Sequence, residues 1–545
     1  MRTTVLGITG LLALGSLLVP SAPAPAAPAA PQTSASTRAS MPAAATDTAP
    51  VPLPTSDLAW GRCDEASLRS VGARCAELRV PLDHTDPGGA TVTLALSRIK
   101  HTSSASRYQG ALLLNPGGPG GAGRGLVGLQ SYLPKKVAGT YDWIGFDPRG
   151  VGASRPRLSC QADFLGYDRP AYTPTAANVR AWHRRDRAYA EACGRKNGDL
   201  LAHDTTVDTA YDVDAIRTAL GLEQITWYGY SYGTYIGQVY GTLFPERVRR
   251  IVLDSNVDPR SVWYQAGFGQ ARAMQPNLEK FFAWIARHHR VYRLGRTEQA
   301  VERLWVAERD RLTRRPAGTR QRIGGAEWVD AFAYVVYNSS LWPGSASVFS
   351  RWVHQRDLGA LRAAYVDANG PGDDNSFAGY LAVSCSEGTY PQAWSTWRDD
   401  TRATARTAPL LAWWVTWFQE PCRYWPVRDQ PLVDIDLGEV ASGLLIDERW
   451  DAATPYAGSL EVRSRFPSAR LVEVTGAAAV NHANSIATNP CVDRAIVRYL
   501  GTGALPTRVG GRRSDVQCRS TGYPDASVGR VVARRAPAPP GRPMR

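Results

Sequence analysis

The sequence predicts an α/β protein: a mostly parallel sheet flanked by helices, with a helical cap inserted late in the chain. Short apolar runs alternate with helical patterns, at Ala111-Leu-Leu-Leu114, Tyr141-Asp-Trp-Ile-Gly-Phe146, Ile225-Thr-Trp-Tyr228, Arg250-Ile-Val-Leu253 and Gly443-Leu-Leu-Ile446. Such runs fit strands covered on both sides by helices. Between about residues 258 and 437 that rhythm stops, and Trp-rich amphipathic stretches such as Leu278-Glu-Lys-Phe-Phe-Ala-Trp-Ile285 replace it. The strand rhythm resumes at Leu444 and fades near Leu505.

From the N-terminus, Met1-Arg2 precedes an apolar stretch from Val5 to Val19 and small residues through Ala27, the pattern of a secretory signal peptide expected over residues 1–26. The apolar run is shorter than the roughly 20 residues a membrane span needs, so a secreted protein with no integral span after processing is expected. Residues 27–57 are Ala, Pro, Ser and Thr with few large apolar side chains, a linker that cannot bury enough surface to order itself. The core then runs over 58–257, the cap over 258–437 and the returning core over 438–508. A basic, Pro-rich tail closes the chain over 509–545, with disorder expected beyond Cys518.

With 545 residues, 44% of them apolar and 21% charged, the chain has material for a large core. Eight cysteines suit an oxidising compartment. Nearness in sequence pairs Cys63 with Cys75, Cys160 with Cys193, Cys385 with Cys422 and Cys491 with Cys518. No Cys-x-x-Cys or His-x-x-x-His spacing suggests a metal. The formal charge of +14 comes from arginines scattered through the chain, not gathered into an aromatic-interleaved stripe, so a solvated basic surface is expected and no nucleic-acid partner. The sequence leaves the oligomeric state open.

The chemistry is most legible at Gly229-Tyr230-Ser231-Tyr232-Gly233, which follows one apolar run and precedes a helical pattern. That is the strand, turn and helix context of a G-x-S-x-G nucleophile elbow in an α/β-hydrolase fold, where small neighbours let the serine stand clear of a tight turn. A serine needs a histidine as general base and a carboxylate to orient it. In this fold they follow in the order Ser, acid, His, and His482 is the only histidine beyond the returning core strand. Asp447, Glu448 and Asp451 compete for the acid. Asp451 is preferred because it opens the turn Asp-Ala-Ala-Thr-Pro, where its alternative role is an Asx-turn cap. Asn115-Pro-Gly-Gly-Pro-Gly-Gly121 offers a loop almost free of bulky side chains, and the N–H groups of Gly118 and Tyr232 are the candidate oxyanion donors. A phosphate loop is the rival there, but no Gly-Lys-Ser/Thr follows.

Several motifs in order carry a resemblance: Asn115 to Gly121, Gly145-Phe-Asp-Pro-Arg-Gly-Val-Gly-Ala-Ser154, Tyr228-Gly-Tyr-Ser-Tyr-Gly-Thr234, Phe244-Pro-Glu-Arg-Val-Arg-Arg-Ile-Val-Leu-Asp254 and Asp451-Ala-Ala-Thr-Pro455. From about Leu58 to Leu505 the chain resembles the secreted tripeptidyl aminopeptidase-like α/β-hydrolases of actinobacteria, relatives of prolyl iminopeptidases. The resemblance implies Ser231, Asp451 and His482 as triad, a cap over the pocket, peptide substrates with a free N-terminus, release of short peptides, and no cofactor. Where the family commonly has glycines beside the histidine, this chain has Val480-Asn-His-Ala483.

An exopeptidase must also recognise a substrate ammonium, for which a partly desolvated carboxylate is the usual physical answer. Glu387, in Cys385-Ser-Glu-Gly388, is the candidate, a solvated loop charge being its alternative. Trp413-Trp-Val-Thr-Trp-Phe418 and Tyr424-Trp425 either line a substrate pocket or pack the cap. The competing functions are a carboxylesterase or lipase built on the same triad, and a catalytically silent peptide- or cell-wall-binding homologue.

Overall fold

The computed structural model describes residues 58–483 and 485–526. The leader expected over 1–26, the linker over 27–57 and the tail from residue 527 onward lie outside the described residues. Ten strands form one sheet among the described residues: β1 (Gly61–Arg62), β2 (Arg74–Pro81), β3 (Thr91–Ile99), β4 (Ala111–Asn115), β5 (Asp142–Asp147), β6 (Ile225–Tyr230), β7 (Val248–Asp254), β8 (Gly443–Glu448), β9 (Ala469–Thr475) and β10 (Val516–Arg519). Their order is β1-β2-β3-β5-β4-β6-β7-β8-β9-β10. The pairings that involve β1, β2 and β3 are antiparallel and all the others are parallel.

Side chains explain that division. β4 and β6 are buried along their whole length, as strands covered on both faces must be. β2 instead alternates, Leu78 and Val80 turning inward while Glu77 and Arg79 stay exposed. Leu113, Ile144 and Leu253 face one core with residues of the helices Ala176–Ala202, Thr206–Ala219 and Tyr232–Leu243. Leu112, Leu114, Tyr228 and Val252 face the other, against Ile496 and Tyr499 of the helix Pro490–Thr502. The helix Thr206–Ala219 starts at a capping box, Thr205 and Asp208 each satisfying the other's backbone N–H.

Between β7 and β8 the chain is helical, and its helices belong to two cores. Phe281, Phe282, Trp284, Trp305, Trp328 and Trp342 build a separate aromatic cluster, in which each fully buried large side chain contributes about 1.5–3 kcal/mol. Ala452 and Val480 join that cluster from the loops after β8 and β9. The later helices belong to the sheet's own core, through Phe377, Leu381, Trp397 and Trp425. The helix Asn375–Ser386 is nailed at its start to the segment after β5 and to the helix Ala176–Ala202. Asp374 Oδ2 accepts the N–H groups of Cys160 and Gln161 at 2.8 Å and the Tyr189 hydroxyl at 2.9 Å, and Asn375 donates to the Gly150 and Leu158 carbonyls at 2.8 Å.

The sulfur atoms meet in the four pairs expected from nearness in sequence, Cys63–Cys75, Cys160–Cys193, Cys385–Cys422 and Cys491–Cys518. One boundary needs correction. The core was expected to end at residue 508, yet β10 pairs in parallel with β9 from Val516↔Val472 to Arg519↔Thr475, and residues as far as Ala526 are described. The arginines and glycines around it hide the strand in the sequence. It is held instead by Asp515, which accepts the N–H groups of Val509 and Leu471 and pairs with Arg463 at 2.6 Å, and by Cys518. Beyond it the chain reaches the cap cluster, where Tyr523 stacks on Trp342 with ring centres 5.4 Å apart.

Candidate active site

The site lies past the ends of the central parallel strands. Ser231 joins β6 to the helix Tyr232–Leu243 with φ 54° and ψ −124°, a backbone that few residues other than glycine adopt. The turn closes because a side chain is missing beside it: a Cβ on Gly229 would stand 2.1 Å from the Gly233 carbonyl oxygen. The Ser231 N–H donates to the Asp254 carbonyl at 3.0 Å, tying the turn to the end of β7.

Asp451 lies just beyond β8 and is fixed before it meets a histidine. Its Oδ1 accepts the N–H groups of Ala453 and Thr454 at 2.9 Å, and its Oδ2 accepts the Thr454 hydroxyl at 3.1 Å. One carboxylate thus caps its own turn and still lies against a histidine. His482 Nδ1 lies 2.8 Å from Oδ2 and 3.0 Å from Oδ1, an arrangement that puts the proton on Nδ1 and leaves Nε2 as a base. Burial opposes a charge on the ring. The charge and hydrogen bond of Asp451, with the charge of Asp254, outweigh it and hold His482 above the ordinary imidazole range.

Asp447 and Glu448, the other acids weighed at this strand end, are engaged elsewhere. Asp447 accepts the Ser459 hydroxyl and the Glu448 N–H, and burial holds its carboxyl well above the usual range. Glu448 accepts Asn481 Nδ2 on both oxygens, at 3.0 and 2.9 Å, and burial pushes it up to about 8. Burial likewise raises Asp254 to about 6.

The loop after β4 lies directly on the turn at Ser231. At Gly117, φ is 86° and a Cβ would stand 2.7 Å from the Tyr232 nitrogen, so only glycine lets the loop approach. Gly117 gives its own N–H to Asn115 Oδ1 at 2.8 Å, so the next donor along the loop is that of Gly118. Tyr232 is the first residue of its helix, where an N–H has no partner within the helix. The same loop touches the cap, since a Cβ on Gly120 would stand 2.2 Å from the Ser376 carbonyl oxygen.

Glu387, the candidate for the substrate ammonium, is tied into the packing by bonds of its own. It is 2% exposed, Oε1 accepts the Thr206 N–H and Oε2 accepts the Trp263 indole N–H at 2.9 Å. The carboxylate pins the end of the helix Asn375–Ser386 to the start of the helix Thr206–Ala219, each oxygen accepting one bond. Trp417 and Trp425 are buried, and Trp417 stacks between Trp182 and Trp413 at 5.8 and 5.7 Å, so these rings pack the cap against the core.

Sequence reasoning missed three neighbours of His482. Thr454 Oγ1 lies 3.3 Å from Nδ1, and its signal was available in the Asp-Ala-Ala-Thr turn. Asn481 is fastened to Glu448. The Tyr337 ring stands 5.9 Å from the imidazole, nearly perpendicular to it, and comes from the cap, where no motif marks it. Among the described residues no cluster of His, Cys, Asp and Glu is placed to hold a metal ion, and no helix is long and apolar enough to cross a membrane.

Residues 110–478 match the α/β-hydrolase fold family. The chain is 37% identical over 458 residues to the tripeptidyl aminopeptidase of Streptomyces coelicolor, covering 82% of this chain and 83% of that one. It is 31% identical over 459 residues to the serine protease Hip1 of Mycobacterium tuberculosis, covering 80% and 86%. It is 30% identical over 475 residues to carboxylesterase B of the same organism, covering 82% and 88%. The chain therefore belongs to the α/β-hydrolase family, and within it to the serine hydrolases related to Streptomyces tripeptidyl aminopeptidase.

Proposed function

We propose that the protein is a secreted serine exopeptidase that releases short peptides, tripeptides being the expected product, from substrates with a free N-terminus. The observation that carries this reading is the Asp451–His482 pair, at 2.8 Å, in a chain whose nucleophile turn is strained at Ser231. The likeness to the Streptomyces peptidase supports the choice of substrate. Secretion is supported by the leader-like N-terminus and the paired cysteines.

In the proposed reaction His482 Nε2 takes the Ser231 hydroxyl proton as Oγ attacks the scissile carbonyl. The N–H groups of Gly118 and Tyr232 receive the negative charge that develops on the carbonyl oxygen. Asp451 stabilises the imidazolium, which then protonates the departing amine. Water, deprotonated by the same imidazole, clears the acyl-enzyme and restores Ser231.

The test is hydrolysis of a tripeptide anilide with a free N-terminus, beside its N-acetylated twin and a short-chain aryl ester, by the native protein and Ser231→Ala. Cleavage of the free peptide alone, lost in the variant, supports the proposal. Turnover of the ester alone refutes it and favours the second reading, a secreted carboxylesterase, to which the 30% identity with carboxylesterase B points. If a fluorophosphonate leaves Ser231 unlabelled, the protein is a silent binding homologue instead.

A further inference from the structure

β7 ends in two residues that reach both halves of the site. Asp254 accepts the Ser231 N–H on its carbonyl oxygen at 3.0 Å and the Ser485 N–H on its Oδ2 at 2.9 Å. Ser255 accepts the Ala483 N–H on its Oγ at 2.8 Å, while its own N–H donates to the Ile446 carbonyl on β8 at 2.9 Å. One strand end thus holds the backbone of the nucleophile and, just past His482, two amides of the histidine loop. Asp254 and Ser255 are 3% and 1% exposed, so water competes little for these bonds.

The backbone says why such a hold is needed. Ala483 has φ 51° and Ser255 has φ 65°, both in the left-handed region that side chains disfavour. A glycine at 483 would occupy that turn unaided. An alanine there needs an external constraint, and the bond to Ser255 supplies one. Ser231 and His482 lie on loops that follow different strands, and an error of about 1 Å between such groups costs on the order of 100-fold in rate.

We propose that Asp254 and Ser255 are positioning residues that fix the alignment of Ser231 with His482, Ser255 doing so by holding Ala483 in its left-handed turn. This rests on the triad reading above. Asp254 also acts on the base through its charge, which favours the protonated imidazole. The other ionisable groups around this pair are Asp447, Glu448 and Asp451 from β8 and the loop after it, Tyr228 and Tyr230 from β6, and Tyr337 from the cap.

The experiment measures kcat and KM for the free tripeptide anilide, the rate of fluorophosphonate labelling and thermal unfolding. The variants are Ser255→Ala, Ser255→Ala with Ala483→Gly, and Asp254→Asn. Ser255→Ala is expected to lower kcat and the labelling rate about tenfold, with KM within about twofold. Adding Ala483→Gly returns both rates to within about threefold of the native protein. Asp254→Asn keeps an oxygen for the Ser485 N–H but loses the charge, so kcat falls and the acid limb of kcat/KM moves to lower pH.

Native kcat in Ser255→Ala, or a loss that Ala483→Gly does not recover, overturns the role of Ser255. An unmoved acid limb in Asp254→Asn overturns the action of Asp254 on the base through its charge, and the positioning role is decided by the Ser255 and Ala483 pair. Failure of the triad reading is recognised separately: the native protein is then not labelled at Ser231, or Ser231→Ala retains hydrolysis, and the inference falls with it.

Discussion

Asp451 Oδ2 lies 2.8 Å from His482 Nδ1, while Asp451 Oδ1 is occupied by the N–H groups of Ala453 and Thr454. The turn therefore fixes the direction from which the carboxylate addresses the imidazole. Asp451→Asn would keep the turn while directing an amide toward Nδ1 and favouring the wrong tautomer. Its kcat is expected to fall about 10⁴-fold with little change in KM, as measured on the free tripeptide anilide.

His482 is held above the ordinary imidazole range because Asp451 and Asp254 outweigh burial. A base must be neutral to accept a proton, so activity is expected to rise with pH along an acid limb whose midpoint lies above about 6.5. The same shift affects stability with the opposite sign. The charged ring stabilises the fold fully below about 6.5, and that contribution is lost as pH rises through the higher folded value. Unfolding curves of the native protein and His482→Gln should converge across that window.

Glu448 is raised to about 8 by burial, so its contribution is fully present below about 4.5 and is lost as pH rises through the folded value. Glu448→Gln keeps an oxygen to receive Asn481 and has no proton to lose. Its stability is expected to fall less than that of the native protein between pH 5 and 9, by roughly 4 kcal/mol at the alkaline end. Denaturant unfolding at a series of pH values checks this.

Glu387→Gln tests the assignment of that residue as a pin. An amide cannot accept both the Thr206 N–H and the Trp263 indole, so stability should fall by about 1–3 kcal/mol. Hydrolysis of a free-amine peptide and of an aryl ester should fall in the same proportion. A loss confined to the free-amine peptide would return Glu387 to the recognition of the ammonium.

Arg149, within the Asp-Pro-Arg-Gly motif, is fully buried and meets Asp212 at 2.6 and 2.8 Å and the carbonyls of Leu82 and His203 at 2.8 and 2.6 Å. Arg149→Met would leave buried Asp212 with His84, at 2.9 Å, in place of its arginine, and is expected to cost about 3 kcal/mol. Thermal unfolding reads this without any assay of function.

What the sequence disclosed follows from how local each signal is. The elbow at Ser231 was legible because a strained turn demands glycines at fixed offsets, and the order of serine, acid and base narrowed His482 to one position. β10 was not, because Val516 to Arg519 gains its stability from pairing with β9 and from Asp515 and Cys518, and not from an apolar run of its own. Asp254 closes the run from Phe244 without any local sign of its bonds to the loops after β6 and β9, and Ser255 lies just outside that run. The bonds of Glu387 were not legible because neither the Thr206 N–H nor the Trp263 indole that it accepts is near in sequence.

Ala452 and Val480, beside Asp451 and next but one to His482, are embedded in the aromatic cluster of the helical insertion, and Ser376 of that insertion abuts Gly120 of the loop after β4. Asn277 and Ser339 add bonds at 2.8 Å to the carbonyls of Trp450 and Val480. The insertion is thus not a detachable module. Trading it for that of a relative, as one would to transplant substrate preference, would remove the packing around Asp451 and His482, and preference in this scaffold has to be redesigned residue by residue.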